Sequence, residues 1–325
     1  MNRATVLPAL DVDYVQADLG SLLAQGDVLA VLGFGSQAPR SDDPRYLRIG
    51  LEPLGGQAPL EVWRAQGDIR HGRDGLVRWA ASPDYCFGAI EVAESDYADL
   101  AAATEAAYAA LSAFALSHNW PQLLRIWNYL AAINEGSGDA ERYKHFCTGR
   151  SAGMRSVHGQ GFPAASAIGR SDGEYGVQVY WLAAREPGLA VENPRQVSAW
   201  RYPREYGPTA PTFARAMRGP CAQAQLHISG TAAVVGHQSR HDGDIDAQLD
   251  ETFANLSSLL ASADMPAFGA SSVLKAYVRH AADMPPIAAA LARRLPDAAK
   301  RLVLLGDICR VELLVEIDGI HTAAD

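Results

Sequence analysis

The stretch Ile308–Gly319, ICRVELLVEIDG, alternates apolar and polar side chains in the way that is typical of a half-buried β-strand. One side of such a strand carries Val311, Leu313, Val315 and Ile317, and the other carries Arg310, Glu312, Leu314, Glu316 and Asp318. Gly319 would end the strand. We therefore expect one dry face and one charged face, with the rest of the chain arranged around this element.

Glu316 is the candidate acid on this strand. Leu314 interrupts the polar face, so Glu316 would lie beside apolar side chains, which disfavour its charged form and raise its pKa. A carboxyl group of this kind can donate a proton near neutral pH. In the alternative interpretation, Glu312, Glu316 and Asp318 are solvated side chains on an exposed sheet face.

Composition limits the functional classes. The 325 residues suffice for one large or two ordinary domains, and the charge balance of 28 Lys and Arg against 37 Asp and Glu gives a net charge of −9. This charge disfavours non-specific binding to nucleic acid or to an anionic membrane. Any anionic ligand would need a local cluster of arginines.

Targeting signals and cysteine pairs are not evident. We find neither a run of about 18 apolar residues nor the apolar core of a signal peptide, and the four cysteines form no CxxC pair. The sequence therefore predicts a cytoplasmic protein without a disulfide scaffold or zinc ribbon.

Apolar periodicity and turn residues predict the remaining elements. Strands are expected at 28–33, 46–51, 60–63, 86–92, 123–130, 176–184, 196–202, 226–229 and 273–278, and helices at 96–117, 141–147, 245–260 and 285–294. The segment 203–220 contains four prolines and predicts a long ordered loop.

The order of these elements predicts an α+β protein made of two related sheet-and-helix halves, with mixed β-sheets and helices on one face of each. We expect an N-terminal half at 1–134, a connecting segment with strands and substrate-site loops at 135–220, and a C-terminal half with the catalytic strand at 221–325.

The segment 226–287 resembles the YjgF-type deaminase family. The matching features are Ser229 and Gly230 after a strand, Gly236, Gly243 and Asp244 before a helix, Gln248, Asn255, and Tyr277 to Arg279. The resemblance implies a YjgF-like (chorismate mutase-like) fold with ligand pockets at the sheet edges.

Further segments are similar to the chorismatases, which have a YjgF-like fold and cleave chorismate to pyruvate and a ring product. They are RIWNYLAAIN (125–134), ERYKHFCTGRSAGM (141–154), QVSAWRYPREYGPTAPTFARA (196–216) and the closing ICRVELLVEIDG. The stretch DVLAVLGFGSQAPRSDDPRYLRIGLEPL (27–54) resembles the hydroxybenzoate-forming branch found in aryl polyene pigment pathways.

This resemblance implies a site for chorismate, a dianion, with no cofactor and no metal. Arginines are the preferred carboxylate clamps because the guanidinium fork makes paired, charge-assisted hydrogen bonds. The candidate ligand-binding residues are Arg142, Arg150, Arg201 and Arg310, the neutral donors Tyr129, Tyr143, Tyr202 and Tyr206, and Gly230, which would allow close approach to the backbone. The resemblance makes Glu316 the catalytic acid.

Protonation of the enol methylene carbon would give an oxocarbenium ion. If water adds, a dihydroxycyclohexadiene acid leaves; if the neighbouring ring hydroxyl displaces the ether oxygen, an arene oxide forms and collapses to 3-hydroxybenzoate, with 4-hydroxybenzoate as a co-product. The second route needs a site that excludes water. Cys309 favours this route because the hydroxybenzoate-forming enzymes have a similarly placed cysteine.

The spacing of Cys309 and Glu316 poses a geometric question. Seven residues of straight strand span roughly 23 Å, too far for both side chains to contact one small ligand. Either the strand is bent or bulged near Arg310, or one of the two lies outside the pocket. A small buried apolar role remains the alternative for Cys309.

Three rival interpretations remain. His237, His241, Asp242 and Asp244 have a spacing that could bind zinc, although the flanking glycines predict a loop. A YjgF-type enamine or imine deaminase would leave the first half without a purpose, and a non-catalytic sensor would not turn chorismate over. The expected oligomeric state is a monomer or a small homo-oligomer.

Overall fold

The structure is a computed structural model that describes residues 7–56, 58–156, 161–170 and 172–323. The helices are α1 (Leu19–Leu23), α2 (Leu100–Ser117), α3 (Arg142–Gly153), α4 (Ile245–Ser262) and α5 (Met284–Arg294). The strands are β1 (Asp11–Val15), β2 (Val28–Phe34), β3 (Tyr46–Ile49), β4 (Leu60–Arg64), β5 (Arg70–Asp74), β6 (Val77–Ala81), β7 (Tyr85–Ala93), β8 (Gln122–Ala131), β9 (Ala164–Arg170), β10 (Gly176–Ala184), β11 (Leu189–Val191), β12 (Ala216–Arg218), β13 (Gln225–Thr231), β14 (Val234–Val235), β15 (Gln238–Ser239), β16 (Ser272–Val278), β17 (Lys300–Leu305), β18 (Asp307–Ile308) and β19 (Val315–Thr322).

Two large mixed sheets face each other. The first has the order β18-β9-β8-β10-β7-β6-β5 and the second the order β11-β12-β13-β19-β16-β17. Helices α2 and α3 pack their apolar residues on the outer face of the first sheet, and α4 and α5 do so on the second. A third apolar cluster fills the space between the sheets. The prediction of an α+β fold with mixed sheets and helices on one face of each is confirmed.

The two units share one topology. In chain order the first unit is β6, β7, α2, β8, α3, β9, β10, and the second is β12, β13, α4, β16, α5, β17, β19. Corresponding strands occupy the same positions in their sheets, and the parallel pairs β8–β9 and β16–β17 also correspond. The boundary predicted after residue 134 therefore falls between β8 and α3, inside the first unit.

A separate four-stranded sheet, ordered β1-β4-β2-β3, packs on the core between the units. Its Trp63 contacts Trp127 and Tyr180, with ring centroids 5.5 and 6.1 Å away. The strands predicted in the first third thus belong to two sheets and not to one meander. Strands such as β9, AASAIGR, were missed because small residues and glycine give little strand signal.

Helix α2 is long and apolar enough to cross a membrane by length and composition, but half of its 18-residue window is buried. Leu111 and Phe114 face the core of the first unit. The apolar character of α2 is therefore explained by its packing against the first sheet and α3.

Two strand predictions are wrong in part. Residues 196–202 form a loop with a 3-10 turn at Ala199–Arg201, and Gln196 makes only an isolated bridge to Gly236. The strand predicted at Ile308–Gly319 begins at Val315 and continues through Gly319 to Thr322. Gly319 does not end the strand; a side chain there would overlap the carbonyl oxygen of Val273 on β16.

Gly149 allows close contact between α3 and α2, and this contact is testable. A methyl group at Gly149 would overlap the carbonyl oxygen of Ala101 and lie 2.8 Å from the Cβ atom of Thr104. We expect Gly149→Ala to lower the free energy of unfolding by about 1–3 kcal/mol, the usual cost of overpacking, as measured by urea unfolding. Gly26→Ala, with no atom within 4 Å of the added carbon, is the matched control and should not destabilise the protein. Equal effects of the two changes would contradict the prediction.

Candidate active site

A cavity of about 460 Å³ lies where the two units meet, a volume in the range of small-molecule sites. Its walls come from α3, β9, β13, the start of β19, the turn before β19, and a cover formed by residues 196–215. Both units therefore contribute, and neither alone encloses the cavity.

Glu316 lies at the inner end of this cavity and is 5% exposed. In β19 the alternation holds, with Val315 and Ile317 toward the helices of the second unit and Glu316 and Asp318 toward the first sheet. Both faces are buried, so the alternative of a solvated sheet face is wrong.

The environment of Glu316 favours its protonated form. Burial raises its pKa to about 8, and Asp318 adds to the rise, whereas Arg125, Arg215 and Arg310 oppose it. Within the described part of the chain, no group donates a hydrogen bond to its carboxylate. Glu316 is therefore a neutral acid near pH 7.

Gly230 makes room for this acid. The pairing of β13 with β19 shifts register between Ile228 and Thr231, so Ser229 and Gly230 bulge opposite Asp318. A methyl group at Gly230 would overlap Oε1 of Glu316. Gly230 is therefore required by close approach to the acid, and it lines the cavity.

The turn at residues 309–314 answers the question of strand length. Strand β18 ends at Ile308, and the chain reverses before β19, so Cys309 and Glu316 line the same cavity. Arg279 holds the turn by donating to the carbonyl oxygens of Ile308, Arg310 and Leu313, at 2.8–2.9 Å. Of the two alternatives, the bent chain is the one observed.

Gln248, on α4, braces the same turn from the other side. Its amide donates to the carbonyl oxygen of Glu312 and accepts from the backbone N–H of Leu314, both at 2.8 Å. Gln248 and Arg279, two features of the YjgF resemblance, thus position the turn that carries Cys309 and Arg310.

Three arginines line the cavity with guanidinium groups that have no carboxylate within 4.0 Å in the described residues: Arg150, Arg215 and Arg310. Arg150 is 4% exposed, and its Nε and Nη2 atoms have no hydrogen-bond partner there. A buried, unpaired guanidinium group is costly. Its position is explained if an anionic ligand supplies the missing acceptors.

Arg215 and Arg310 are fixed by the cover segment and the loop around β15. Arg215 Nη2 donates to the carbonyl oxygen of Val197 and the hydroxyl of Tyr202, both at 2.7 Å. Arg310 lies over the ring of Tyr206, with 4.1 Å from Cζ to the centroid, and donates to the carbonyl oxygen of His237 at 2.8 Å. The two guanidinium groups are thus preorganised.

One wall is apolar and holds thiols. Cys309, Cys147 and Tyr143 line the cavity, and burial raises the pKa of each thiol to about 12. The pKa of the Tyr143 hydroxyl is also raised by burial. These groups are neutral, so Cys309 is not poised as a nucleophile and can act as a small wall residue that excludes water.

The cover segment includes Tyr202 and Tyr206, and both line the cavity. A bidentate ion pair at the surface joins Arg204 to Asp139, with 2.9 and 2.6 Å between nitrogen and oxygen. The backbone of Gly207 lies against the side chain of Lys144 on α3. The cover is therefore anchored to the first unit.

Three predicted site residues lie outside the cavity lining. Arg142 pairs with Glu94 at 2.6 Å, Arg201 is an exposed residue of the cover, and Tyr129 is a core residue whose hydroxyl lies 3.2 Å from that of Tyr277. Their side chains have other partners or point away, so the structure does not bring them to the candidate ligand.

Among the lining residues that sequence reasoning missed are Arg215 and Ser166. Arg215 is the penultimate residue of the segment 196–216 already singled out, so a count of arginines in that segment would have found it. Ser166 lies in the small-residue strand β9, which gave no signal. Metal binding at His237 and His241 has no support, since no group of three potential ligands exists within the described ranges.

The chain is similar to known proteins over most of its length. A family model described as chorismatase FkbO/Hyg5-like, N-terminal, matches residues 61–183. A chorismatase of Streptomyces rapamycinicus is 36% identical over 275 residues, which cover 80% of this chain and 81% of that protein. A crystal structure of a chorismatase aligns with a TM-score of 0.85 at 30% identity and covers 97% of this chain and 99% of that one.

The chain therefore belongs to the chorismatase family, and the resemblance noted from its motifs is confirmed. Its relatives include a 3-hydroxybenzoate synthase of Streptomyces hygroscopicus, which is 34% identical over 293 residues. The alignment covers 84% of this chain and 84% of that protein.

The raised pKa of Glu316 predicts a pH-dependent effect of Glu316→Gln on stability. The folded-state pKa of about 8 exceeds the ordinary value of 4.5, so folding favours the proton and the wild-type protein loses stability between these pH values. We expect the variant to match the wild type at pH 5 and to be more stable at pH 9, by no more than about 5 kcal/mol. Urea unfolding at both pH values measures this difference, and a pH-independent difference would contradict the prediction.

Proposed function

We propose that this protein is a chorismatase that converts chorismate to pyruvate and 3-hydroxybenzoate, with 4-hydroxybenzoate as a co-product. The observation that carries the proposal is the combination, in one cavity, of a protonated Glu316 with arginines whose guanidinium groups have no carboxylate partner among the described residues. The names of the relatives, chorismatase and 3-hydroxybenzoate synthase, agree with this chemistry.

The substrate is a dianion, and the cavity offers matching cations. Arg150 lies on α3, whereas Arg215 lies on the cover and Arg310 on the turn before β19. Two carboxylates bound by arginines of different elements would hold the enolpyruvyl ether between them. Charge-assisted hydrogen bonds from guanidinium groups to carboxylates are among the stronger ones in proteins.

Glu316 would supply the proton in the first step. Its carboxyl O–H bond breaks as a C–H bond forms at the enol methylene carbon, and positive charge develops at the ether carbon. General acid catalysis of this kind is typically worth roughly 100- to 10,000-fold. The resulting carboxylate is stabilised by the field of Arg125, Arg215 and Arg310.

The ether bond to the ring then breaks, and its electrons form the carbonyl group of pyruvate. The neighbouring ring hydroxyl attacks the vacated ring carbon to give an arene oxide, and the proton of this hydroxyl returns to Glu316. Isomerisation of the arene oxide gives hydroxybenzoate, so the atoms of chorismate are conserved without added water. The apolar wall around Cys309 favours this route over hydrolysis.

The alternatives explain less of the site. A YjgF-type deaminase would leave the contribution of the first unit without a role, and a ligand sensor would leave the protonated Glu316 without one. Cytoplasmic localisation and a monomeric or small homo-oligomeric state stay predictions from the sequence.

The decisive experiment is pyruvate release from chorismate, followed with a coupled dehydrogenase. We expect Glu316→Gln to abolish release, because the amide is nearly isosteric but has no acidic proton, while the affinity for a benzoate analogue is retained. Wild-type turnover should fall as the pH rises through about 8, where the acid ionises. Wild-type activity in the variant would remove Glu316 from the mechanism.

Arginine substitutions test the clamps. We expect Arg150→Met and Arg310→Ala each to weaken binding of a benzoate analogue, or to raise KM for chorismate, by about 10-fold or more, since each removes a charge-assisted hydrogen bond. Arg201→Ala, at an exposed position outside the cavity lining, is the matched control. Equal losses in the control, or unchanged affinity for Arg150→Met, would contradict the assignment.

A further inference from the structure

Ser166, on β9, is a cavity residue to which no role has yet been given. It is 4% exposed, and its carbonyl oxygen accepts a hydrogen bond of 2.8 Å from Asn128 Nδ2. Asn128 is itself held by the hydroxyl of Tyr108, which donates to Oδ1 at 2.5 Å. The backbone that carries Ser166 is therefore fixed.

The hydroxyl of Ser166 has a defined direction. It donates to Asp318 Oδ2 at 2.7 Å and accepts from Arg125 Nη2 at 2.5 Å. Arg125 and Asp318 form a fully buried ion pair of 2.9 Å, and Tyr277 also donates to Asp318 Oδ2 at 2.9 Å. Because a serine hydroxyl has one proton and two lone pairs, this network leaves Ser166 one lone pair and no proton for the cavity.

This lone pair lies next to the acid. A methyl group at Gly230 would be 3.2 Å from Ser166 Oγ and would overlap Oε1 of Glu316. The two oxygens therefore face the same point of the cavity. Ser166 Oγ can only accept a hydrogen bond there, whereas the carboxyl group of Glu316 can donate a proton.

We propose that Ser166 is a positioning residue whose oriented hydroxyl accepts a hydrogen bond from the ring hydroxyl of the substrate and directs the attack of that hydroxyl on the neighbouring ring carbon. The inference rests on the proposed function and deepens it. With its proton held by Ser166, the ring hydroxyl turns a lone pair toward the carbon from which the ether oxygen departs.

The proton balance follows from the positions of the oxygens. Glu316 has become a carboxylate in the first step, and its Oε1 faces the same point of the cavity as Ser166 Oγ. When the new C–O bond forms, the ring oxygen carries positive charge, and its proton leaves the hydrogen bond to Ser166 Oγ and passes to Oε1 of Glu316, which restores the acid. Ser166 neither gains nor loses a proton, and Asp318 and Arg125 act only by holding its orientation.

The role predicts a change in products that a structural role would not cause. In Ser166→Ala the attacking ring hydroxyl loses the hydrogen-bond acceptor that orients it. Water should then add to a larger share of the oxocarbenium ion. We expect hydroxybenzoate formation to fall about 10-fold, the dihydroxycyclohexadiene acid to become a larger share of the products, and KM for chorismate to change less than about 3-fold. Chromatography of the ring products and the coupled pyruvate assay measure these quantities.

Two variants keep the test sharp. Ser166→Thr retains the hydroxyl and should restore the wild-type product ratio. Ser272→Ala removes another buried serine hydroxyl, bonded to His321 at the far end of β16, and should leave the ratio unchanged. Thermal unfolding confirms that each variant is folded.

The outcomes separate the two proposals. If the wild-type protein releases no pyruvate from chorismate, the proposed function is wrong. If it releases pyruvate and hydroxybenzoate but folded Ser166→Ala gives the wild-type rate and product ratio, the role of Ser166 is wrong. If Ser166→Ala does not fold, Ser166→Thr decides. This variant keeps the hydroxyl, so a fall of about 10-fold in hydroxybenzoate formation in Ser166→Thr would overturn the inference.

Discussion

The site depends on the desolvation of one carboxyl group. Glu316 keeps its proton because it lies between two packed sheets with Asp318 nearby, and burial is the larger of these two causes. The fold achieves this burial with a bulge in β13, where Gly230 leaves the space that the carboxyl group occupies. A side chain at that position, or a regular ladder between β13 and β19, would displace the acid. The raised pKa of Glu316 thus depends on both the bulge in β13 and the glycine within it.

The shared topology of the two units shows how a single site arises from a repeated plan. In the second unit Tyr277 pairs with Glu316, and at the corresponding register of the first unit Tyr129 pairs with Gln178. The hydroxyls of Tyr129 and Tyr277 meet between the sheets, 3.2 Å apart. Gln178 cannot donate an acidic proton, and its amide donates to Glu91 and to the carbonyl oxygen of Arg48. At this register position the second unit therefore carries an acid and the first an amide, while the first unit contributes α3 and β9 to the cavity wall.

The buried cations divide into two groups with different consequences. Arg125 and Lys275 have carboxylate partners, Asp318 and Glu61, at 2.9 and 2.8 Å, and they join the core between the sheets. Arg150 has none in the described ranges, and two of its nitrogens lack any acceptor. Removing one partner of the paired cations would leave a buried charge uncompensated. Arg150 already has an uncompensated buried charge in the absence of ligand, with the free-energy cost that this entails. The cavity thus gives up stability at the positions where an anion would bind, a common arrangement in binding sites.

Local patterns in the sequence determined much of this protein. Long periodic segments such as α2 and α4 and apolar strands such as β2, β10 and β16 were predicted nearly to their ends, because their signals lie within a few residues of chain. The family motifs led to Glu316, Cys309, Arg150 and Arg310. The tertiary structure alone decided what those motifs touch. It turned Arg142 toward Glu94, buried Tyr129 in the core, brought Arg215 and Ser166 into the cavity, and folded residues 309–314 back on Glu316 through contacts with Arg279 and Gln248. Those contacts join residues far apart in the chain, and periodicity, which reports only which face of an element is apolar, carries no information about them.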